Sequence, residues 1–470
     1  MNEAEVRKIV ENVLLHIEGN SQPATKLKGV FSTMEEALEA VQTAYKQFRG
    51  YTVEQRENMI NSIRKTTLEH AQDLAEMGVK ETGMGRVTDK IIKHQLVAEK
   101  TPGTEALHTE AYSGDRGLTL VELGPYGIIG AITPSTNPSE TVLCNSMGMI
   151  AAGNGVVFNP HPGAVNTSNY AVDLVNRAIL EAGGPENLVC SVEKPTMKTS
   201  EIMMKSPAVK MLVATGGPGV VRALLSSGKK AIGAGAGNPP VIVDETADIQ
   251  KAAKDIVDGA SFDNNLPCIA EKECFAVAEV ADELIHYMTQ NGAYLISGSQ
   301  IDQLLSFAMV QKDGKYVINK KWVGKDAALF LKELGIQSDA KLILCETPFM
   351  HPFVQEELMM PILPLVRVKD FDEAVEKAVA AENGRRHSAH IHSKCGSSYP
   401  VCTRSGNDNF CKKCALLCGN WCRRRGIYHI YNRRPNGRRA DLCAVFCAAA
   451  PLCDGRQFFN YIEQLDRTII

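Results

Sequence analysis

Hydrophobic positions first form a regular pattern at residues 3–17. There Val6, Ile9, Val10, Val13, Leu14 and Ile17 recur at helical spacing, with Glu, Arg, Lys and Asn between them. This predicts a short amphipathic helix over residues 1–18. The stretch from Gly19 to Lys28, rich in Ser, Gln, Pro, Thr and Lys, reads as a linker reaching to about residue 30. A helix tethered in this way either docks on its own domain or offers its apolar stripe to a partner's groove. Residues 34–49, 53–82 and 86–99 carry helical periodicity, with Met34-Glu-Glu as a charged first turn and Gly83 as a stop. Leu118–Leu123 and Gly127–Thr133 alternate as strands around the turn Gly124-Pro-Tyr-Gly127.

From there the pattern switches regularly between the two periods. Helices are predicted at 138–152, 164–182, 197–205 and 218–227, and strands at 155–159, 187–191, 209–214, 229–234 and 241–243. A second alternating set runs from 248 to about 392. It contains helices at 248–260, 281–292, 325–334 and 370–381 and strands at 274–279 and 341–345. Strands separated by helices of about 10–15 residues imply right-handed crossovers and parallel sheets. The expected fold class is therefore α/β, and no internal repeat is visible.

With 470 residues, two or three lobes are expected. A hydrophobic share of 44% and a charged share of 22% describe a soluble globular chain. No apolar run reaches the ~20 residues a membrane span requires, and no cleavable secretory signal is visible. These readings place the protein in the cytoplasm, with no membrane partner and with reduced cysteines. The net charge of -3 hides an asymmetry. Residues 395–470 hold ten Arg and two Lys against four Asp and one Glu, a balance of +7, so residues 1–394 carry -10. Nine of the 14 cysteines also follow Lys394.

The candidate chemistry centres on Cys268, in Ser261-Phe-Asp-Asn-Asn-Leu-Pro-Cys-Ile-Ala-Glu-Lys-Glu273. A Cys that follows Pro at the end of an Asn-rich turn is not placed like a core residue, although most lone cysteines are small buried hydrophobes. A thiol attacks only as a thiolate, which partial exposure near backbone N–H groups favours. The strand ending in Thr215-Gly216-Gly217-Pro218-Gly219 opens a helix whose N-terminus suits a pyrophosphate; a plain strand–helix turn reads the same. Asn137, before Pro138, is either an ordinary helix cap or a donor to a developing oxyanion. In Asn159-Pro160-His161-Pro162 the imidazole either faces a nucleotide or caps the turn.

Taken in register, these segments resemble the aldehyde dehydrogenase superfamily, and within it the CoA-acylating acetaldehyde/propionaldehyde dehydrogenases of bacterial microcompartments. The matching pieces are Glu81-Thr-Gly-Met-Gly85, Thr133-Pro-Ser-Thr-Asn-Pro138, Ala152-Gly-Asn-Gly-Val-Val-Phe-Asn-Pro-His-Pro162, Thr215-Gly-Gly-Pro-Gly219, Gly233-Ala-Gly-Ala-Gly-Asn-Pro-Pro240, Phe262-Asp-Asn-Asn-Leu-Pro-Cys268 and Glu356-Glu-Leu-Met-Met-Pro361. They span residues 1 to about 394.

The resemblance implies two Rossmann-type parallel-sheet lobes plus a small oligomerisation element. An NAD-binding lobe would run over 31–245, with a hairpin at about 105–128, and a catalytic thiol lobe over 246–394. The resemblance also implies NAD as cofactor, coenzyme A as co-substrate and a small aldehyde as substrate. Cys268 would be the nucleophile, and Asn137 with the Cys268 N–H would hold the oxyanion. Thr133, Pro134, Asn159, Pro160, His161, Thr215, Gly216, Gly217 and Gly219 would contact the cofactor, and Glu357 its nicotinamide ribose. His387 matches a His of acylating relatives, as a base toward CoA, a thiolate partner or a structural residue. Hydrolytic relatives carry a Glu that activates water where this chain reads Gly233-Ala-Gly-Ala. A hydrolytic enzyme, or a cargo protein with impaired catalysis, is the alternative. The N-terminal helix then reads as an encapsulation peptide for a microcompartment shell protein, which places the chain in the microcompartment lumen.

After Lys394 the family pattern stops. Where relatives continue with Lys-Asn-(Gly/Ala)-Pro-Ser-Tyr-Ala, this chain reads Lys412-Lys-Cys-Ala-Leu-Leu-Cys418. The codons AAA AAT GCG CCC TCT TAT GCT encode the former; read one base earlier, after an A, they encode the latter. The tail 395–470 is therefore expected to be a frameshift product with little packed core. An intact C-terminus would make the protein a homo-oligomer. The other reading is a zinc- or nucleic-acid-binding appendage built on Cys411, Cys414, Cys418, Cys422 and the arginines. Its spacing matches no zinc module, so neither a metal nor a nucleic-acid partner is expected.

Overall fold

The computed structural model describes residues 27–382, and the backbone of the strands Ser388–His392, Asn409–Lys412 and Cys447–Ala449. The amphipathic segment 1–18, the linker as far as residue 26, His387 and most of 395–470 lie outside the described residues.

Two parallel sheets organise the chain. The first is built from β1 (Val30–Phe31), β5 (Ile128–Ile132), β6 (Gly155–Asn159), β7 (Val189–Val192), β8 (Val209–Thr215) and β9 (Lys230–Ala234). Between β1 and β5 lie a hairpin, β2 (Glu110–Gly114) with β3 (Gly117–Val121), and the short β4 (Leu123–Pro125). The order across the first sheet is β1-β7-β6-β5-β8-β9, all parallel. The chain adds strands on one side of β5 and then crosses to the other. That reversal opens a crevice at the carboxyl ends of β5, β6 and β8.

Side chains alternate across this sheet. Ile129 and Ala131 face one core cluster, while Ile128 and Ile132 face the other. Helices cover both faces, which is why the strands read as continuous apolar runs.

The second sheet begins at β10 (Pro240–Val243), slightly ahead of the boundary expected near 245. The fully buried Val241-Ile-Val243 run pairs with β11 (Glu273–Val277) rather than with β9. The sheet continues with β12 (Ala293–Ile296), β15 (Leu342–Glu346) and β16 (Ile362–Val368). On its other side, β17 (Ser388–His392) pairs with β10 and β18 (Asn409–Lys412) pairs with β17. A hairpin of β13 (Met309–Lys312) and β14 (Lys315–Ile318) stands apart from it. Within the tail, β19 (Cys447–Ala449) pairs antiparallel with β4.

Two stretches depart from the sequence pattern. The helix expected over 53–82 is two, Val53–Glu69 and Ala71–Thr82, broken at His70 (φ -107°, ψ 13°). Periodicity runs through the break, so apolar spacing alone does not show it. Residues 293–318 and β16 were not anticipated. β16 carries Pro364 in a sheet interior, a residue that normally argues against a central strand.

Caps match the local chemistry closely. Thr33, Thr52 and Thr196 close capping boxes, and Gly83 ends its helix in the left-handed conformation (φ 66°). The helix Val165–Glu181 has no cap of its own. Its first N–H groups, Asn166 and Thr167, donate instead to the Glu81 carboxylate at 2.8 and 2.7 Å, and the Thr167 hydroxyl adds a third bond at 2.6 Å. A carboxylate there also complements the helix dipole. Glu81→Ala is therefore expected to lower stability by about 1–2 kcal/mol, read as an earlier midpoint in urea denaturation. An unchanged midpoint would mean that the helix start does not depend on this contact.

Candidate active site

Cys268 closes a turn that the backbone reaches only through left-handed residues. Asp263, Asn264 and Asn265 have φ of 46°, 55° and 63°. Such conformations cost on the order of 1 kcal/mol or more each outside glycine, and Asp and Asn tolerate them best. Each side chain is anchored. Asp263 Oδ1 accepts from the Arg86 N–H at 2.9 Å, and the Asp263 N–H donates to Asp89 at 2.8 Å. Asn264 Nδ2 donates to the Gly324 carbonyl at 2.9 Å. Asn265 Nδ2 donates to the carbonyls of Ala260 and Glu271 at 2.8 and 2.9 Å. Gly85 explains part of the Glu81–Gly85 motif. Its φ is 79°, and a Cβ there would sit 2.1 Å from Asp263 Oδ1.

The same turn wraps a buried cation. Lys272 Nζ donates to Asn265 O, Asn265 Oδ1 and Pro267 O at 2.7, 2.6 and 3.1 Å. Burial pulls the Lys272 pKa down, and the negative charges of Glu357 and the Cys268 thiolate act against that pull. Lys272 thus lies within electrostatic reach of both residues. Cys268 is half-buried, whereas Cys144, Cys190, Cys274 and Cys345 are buried. Burial pushes Cys144 up to about 11 and Cys345 up to about 12, and raises Cys190 and Cys274 as well. Among the described cysteines, Cys268 alone is placed to act as a nucleophile.

Asn137 stands at the N-cap position of the fully buried helix Pro138–Ala151, yet its side chain caps nothing. Its Oδ1 accepts a hydrogen bond from Lys93 Nζ instead. Lys93 also lies 2.6 Å from Asp263 Oδ2 and 3.0 Å from Glu140 Oε1. Lys90 Nζ is 3.3 Å from Asp263 and donates to the Thr136 carbonyl at 3.2 Å. Burial opposes charge on all of these groups. For Lys93, Asp263 and Glu140 overcome burial and hold its pKa above the usual lysine value; for Glu140, Lys93 and Lys90 overcome it and hold its pKa well below the carboxylate range. Lys90 is lowered by burial and by repulsion from Lys93. His94 is lowered by burial, so it stays neutral, with Nδ1–H donating to Lys90 O and Nε2 accepting from Ser139.

The crevice of the first sheet holds the remaining candidates. Thr133 and Pro134 follow β5, Asn159 to His161 end β6, and Thr215 to Gly219 lead from β8 into the helix Pro218–Leu225. A Cβ built on Gly216, Gly217 or Gly219 meets nothing within 4 Å, so the backbone there is open to a ligand. The Thr133 hydroxyl is buried with no hydrogen bond among the described residues. These features fit a dinucleotide with its pyrophosphate at the helix start. Asn159 and His161 engage the protein itself. Asn159 Nδ2 donates to Ser200 at 2.8 Å and its Oδ1 accepts from Thr199 at 2.6 Å. His161 Nδ1 accepts from the Gly163 N–H at 3.0 Å, a turn cap.

The structure thus wraps the Cys268 turn around the Lys272 ammonium, and ties Asn137 to that turn through Lys93 and Asp263. Sequence reasoning did not single out Lys90, Lys93, Glu140, Asp263 or Lys272. The available signal was Lys90, Lys93 and His94 at i, i+3 and i+4, which share one helix face. Gly85→Ala is expected to destabilise the fold by upwards of about 1 kcal/mol and to slow alkylation of Cys268, measured by denaturation and by peptide mapping after iodoacetamide. Unchanged alkylation would show that the turn does not depend on Gly85.

Known proteins share this sequence and fold. The aldehyde dehydrogenase family model matches residues 28–394. The acetylating acetaldehyde dehydrogenase EutE of Salmonella typhimurium is 43% identical over 401 residues, covering 84% of this chain and 85% of its own. A propionaldehyde dehydrogenase from the fucose utilisation microcompartment of Clostridium phytofermentans superposes with a TM-score of 0.86 at 51% identity, over 90% of this chain and 97% of its own. A Rhodopseudomonas palustris propionaldehyde dehydrogenase with bound propionyl-CoA gives 0.86 at 46% identity, over 92% and 96%. With the thiol turn and the open dinucleotide crevice in one chain, these matches show that the protein belongs to the aldehyde dehydrogenase family.

Proposed function

We propose that the chain oxidises a short-chain aldehyde, acetaldehyde or propionaldehyde, to the corresponding acyl-CoA. The observation that carries this reading is Cys268, half-buried at the end of the strained turn whose Asn265 and Pro267 carbonyls hold the Lys272 ammonium. The Cys268 thiolate forms a C–S bond to the aldehyde carbon, and the carbonyl π electrons move to oxygen. Asn137 Nδ2–H and the Cys268 N–H hold that oxyanion. Thr133, Thr215 to Gly219 and Glu357 would hold NAD, which when bound would supply the hydride acceptor for that carbon. The product of this half is a thioester on Cys268. The thiol of coenzyme A then displaces the Cys268 sulfur, which restores the enzyme and releases acyl-CoA. A thioester suits this exchange because it keeps the acyl group activated toward a second thiol. His387 is assigned as base toward that thiol.

Gly233 favours CoA over water as acceptor. It stands where hydrolytic relatives carry their base, and a Cβ there would lie 2.5 Å from Val221 Cγ1, so the strand leaves little room for a side chain. The N-terminal amphipathic segment is assigned as the contact to a microcompartment shell, which sets the enzyme in that lumen. The β2–β3 hairpin exposes Tyr112, Leu118 and Leu120 by 53%, 64% and 59%. That apolar surface supports its assignment as an oligomerisation element. The segment 395–470 is assigned to a shifted reading frame, a reading supported by the end of the family match at residue 394.

Incubated with aldehyde, NAD and CoA, the protein is expected to yield acyl-CoA in excess of free acid, and Cys268→Ala to abolish both. Free acid as the main product would overturn the acylating assignment. Sequencing the gene across codons 385–470 is expected to show a single-base shift whose correction restores Lys-Asn-(Gly/Ala)-Pro-Ser-Tyr-Ala. A confirmed frame would overturn the assignment of the tail.

A further inference from the structure

The helix Val87–Lys100 buries charged residues on the same face as its apolar Val97 and Ala98. Lys90, Lys93 and His94 point inward at 2%, 3% and 0% exposure, while Ile92 is 39% exposed. Burying two ammonium groups costs several kcal/mol each unless their partners are well placed. Lys93 Nζ donates to Asn137 Oδ1 and stands in ion-pair distance of two carboxylates, Glu140 Oε1 on the helix that Asn137 opens and Asp263 Oδ2 on the Cys268 turn. Several N-cap side chains elsewhere do what their position suggests, although Asp326, paired with Arg86, does not. Thr33, Thr52, Thr196 and Asp248 each accept from the N–H three residues on. Asn137 occupies the same position and does not.

An ammonium can donate but cannot accept. The amide atom of Asn137 that meets Lys93 must therefore be its oxygen, and the two N–H bonds are forced to the opposite side. One of them is loosely engaged, by Thr136 Oγ1 at 3.4 Å. A cation on the amide oxygen also draws electron density from the nitrogen, which makes those N–H groups stronger donors.

We infer that Lys93 is the positioning residue of the oxyanion site: it fixes which way the Asn137 carboxamide faces, and through Asp263 it locks that donor to the Cys268 turn. The inference rests on the reading of Asn137 as an oxyanion donor. Lys93 acts on the oxyanion through Asn137, and any effect it has on the Cys268 turn through Asp263 is read separately as the alkylation rate of Cys268. Its effect on the oxyanion therefore vanishes when the carboxamide is gone, which is not so for a residue that merely supports the fold.

A double-mutant cycle tests this. Lys93→Met is combined with Glu140→Gln, so that one cation and one anion leave the buried cluster together. The readout is the single-turnover rate of reduced nicotinamide formation and the aldehyde KM, with the alkylation rate of Cys268 as a second, cofactor-independent measure. Asn137→Ala alone is expected to slow the single turnover by about 10²–10³-fold, the range for loss of one oxyanion donor. The paired change is expected to slow it by about tenfold or more with KM nearly unchanged, and by less than about twofold when Asn137 is already Ala. Equal slowing in both backgrounds, or none in either, would overturn the role of Lys93 alone. Full activity in Asn137→Ala would overturn the oxyanion reading and this inference with it. If the paired variant does not fold, Lys93→Arg takes its place in the same cycle. Its bulkier fork displaces the carboxamide, and the same dependence on Asn137 is expected.

Discussion

The site depends on one strained turn and on the charges that hold it. Three consecutive left-handed residues, Asp263 to Asn265, lead into Cys268. An isolated chain would not keep that conformation, because each residue could relax toward the helical or extended region. It persists because most polar groups of the turn have partners fixed elsewhere: Arg86, Asp89, Lys90 and Lys93 on one side, Gly324 and Lys272 on the other. Removing any one partner leaves a buried polar group unsatisfied, so the network resists partial loss.

This arrangement explains why the catalytic elements need not be adjacent in the sheets. The cofactor crevice lies at the carboxyl ends of β5, β6 and β8, where the strand order of the first sheet reverses. The thiol comes from the connection entering β11 of the second sheet. Asp263 bridges the two, since its carboxylate meets Lys93 on one side and the main chain of Arg86 on the other. Buried charge here serves geometry. Apolar residues of similar volume would pack as well, but they would not dictate which end of the Asn137 carboxamide faces the site.

Much of the frame was legible from periodicity. The alternation of 3.6 and 2.0 spacing from residue 128 to 261 corresponds to the first sheet and its flanking helices, and the charged turn at Met34 and the stop at Gly83 mark helix ends. What periodicity missed has physical reasons. The break at His70 leaves the apolar stripe in phase, and β16 is written with a proline. Asn159 and His161 looked available to a ligand. Their side chains are taken by Ser200, Thr199 and Gly163, partners that only the folded chain brings near.

The sequence by itself determined the α/β architecture, the family, and the identity of Cys268 as the candidate nucleophile, because these rest on local spacing and on motifs read in register. Tertiary structure alone decided that Lys90, Lys93, Glu140 and Lys272 are interior residues. By composition they belong at the surface, yet Lys90 and Lys93 share the buried face of their helix with Val97 and Ala98. Burial of Lys90 and Lys93 is stable only because carboxylates from distant segments converge on their ammonium groups. Such convergence is a property of three-dimensional proximity, and no window along the chain contains it.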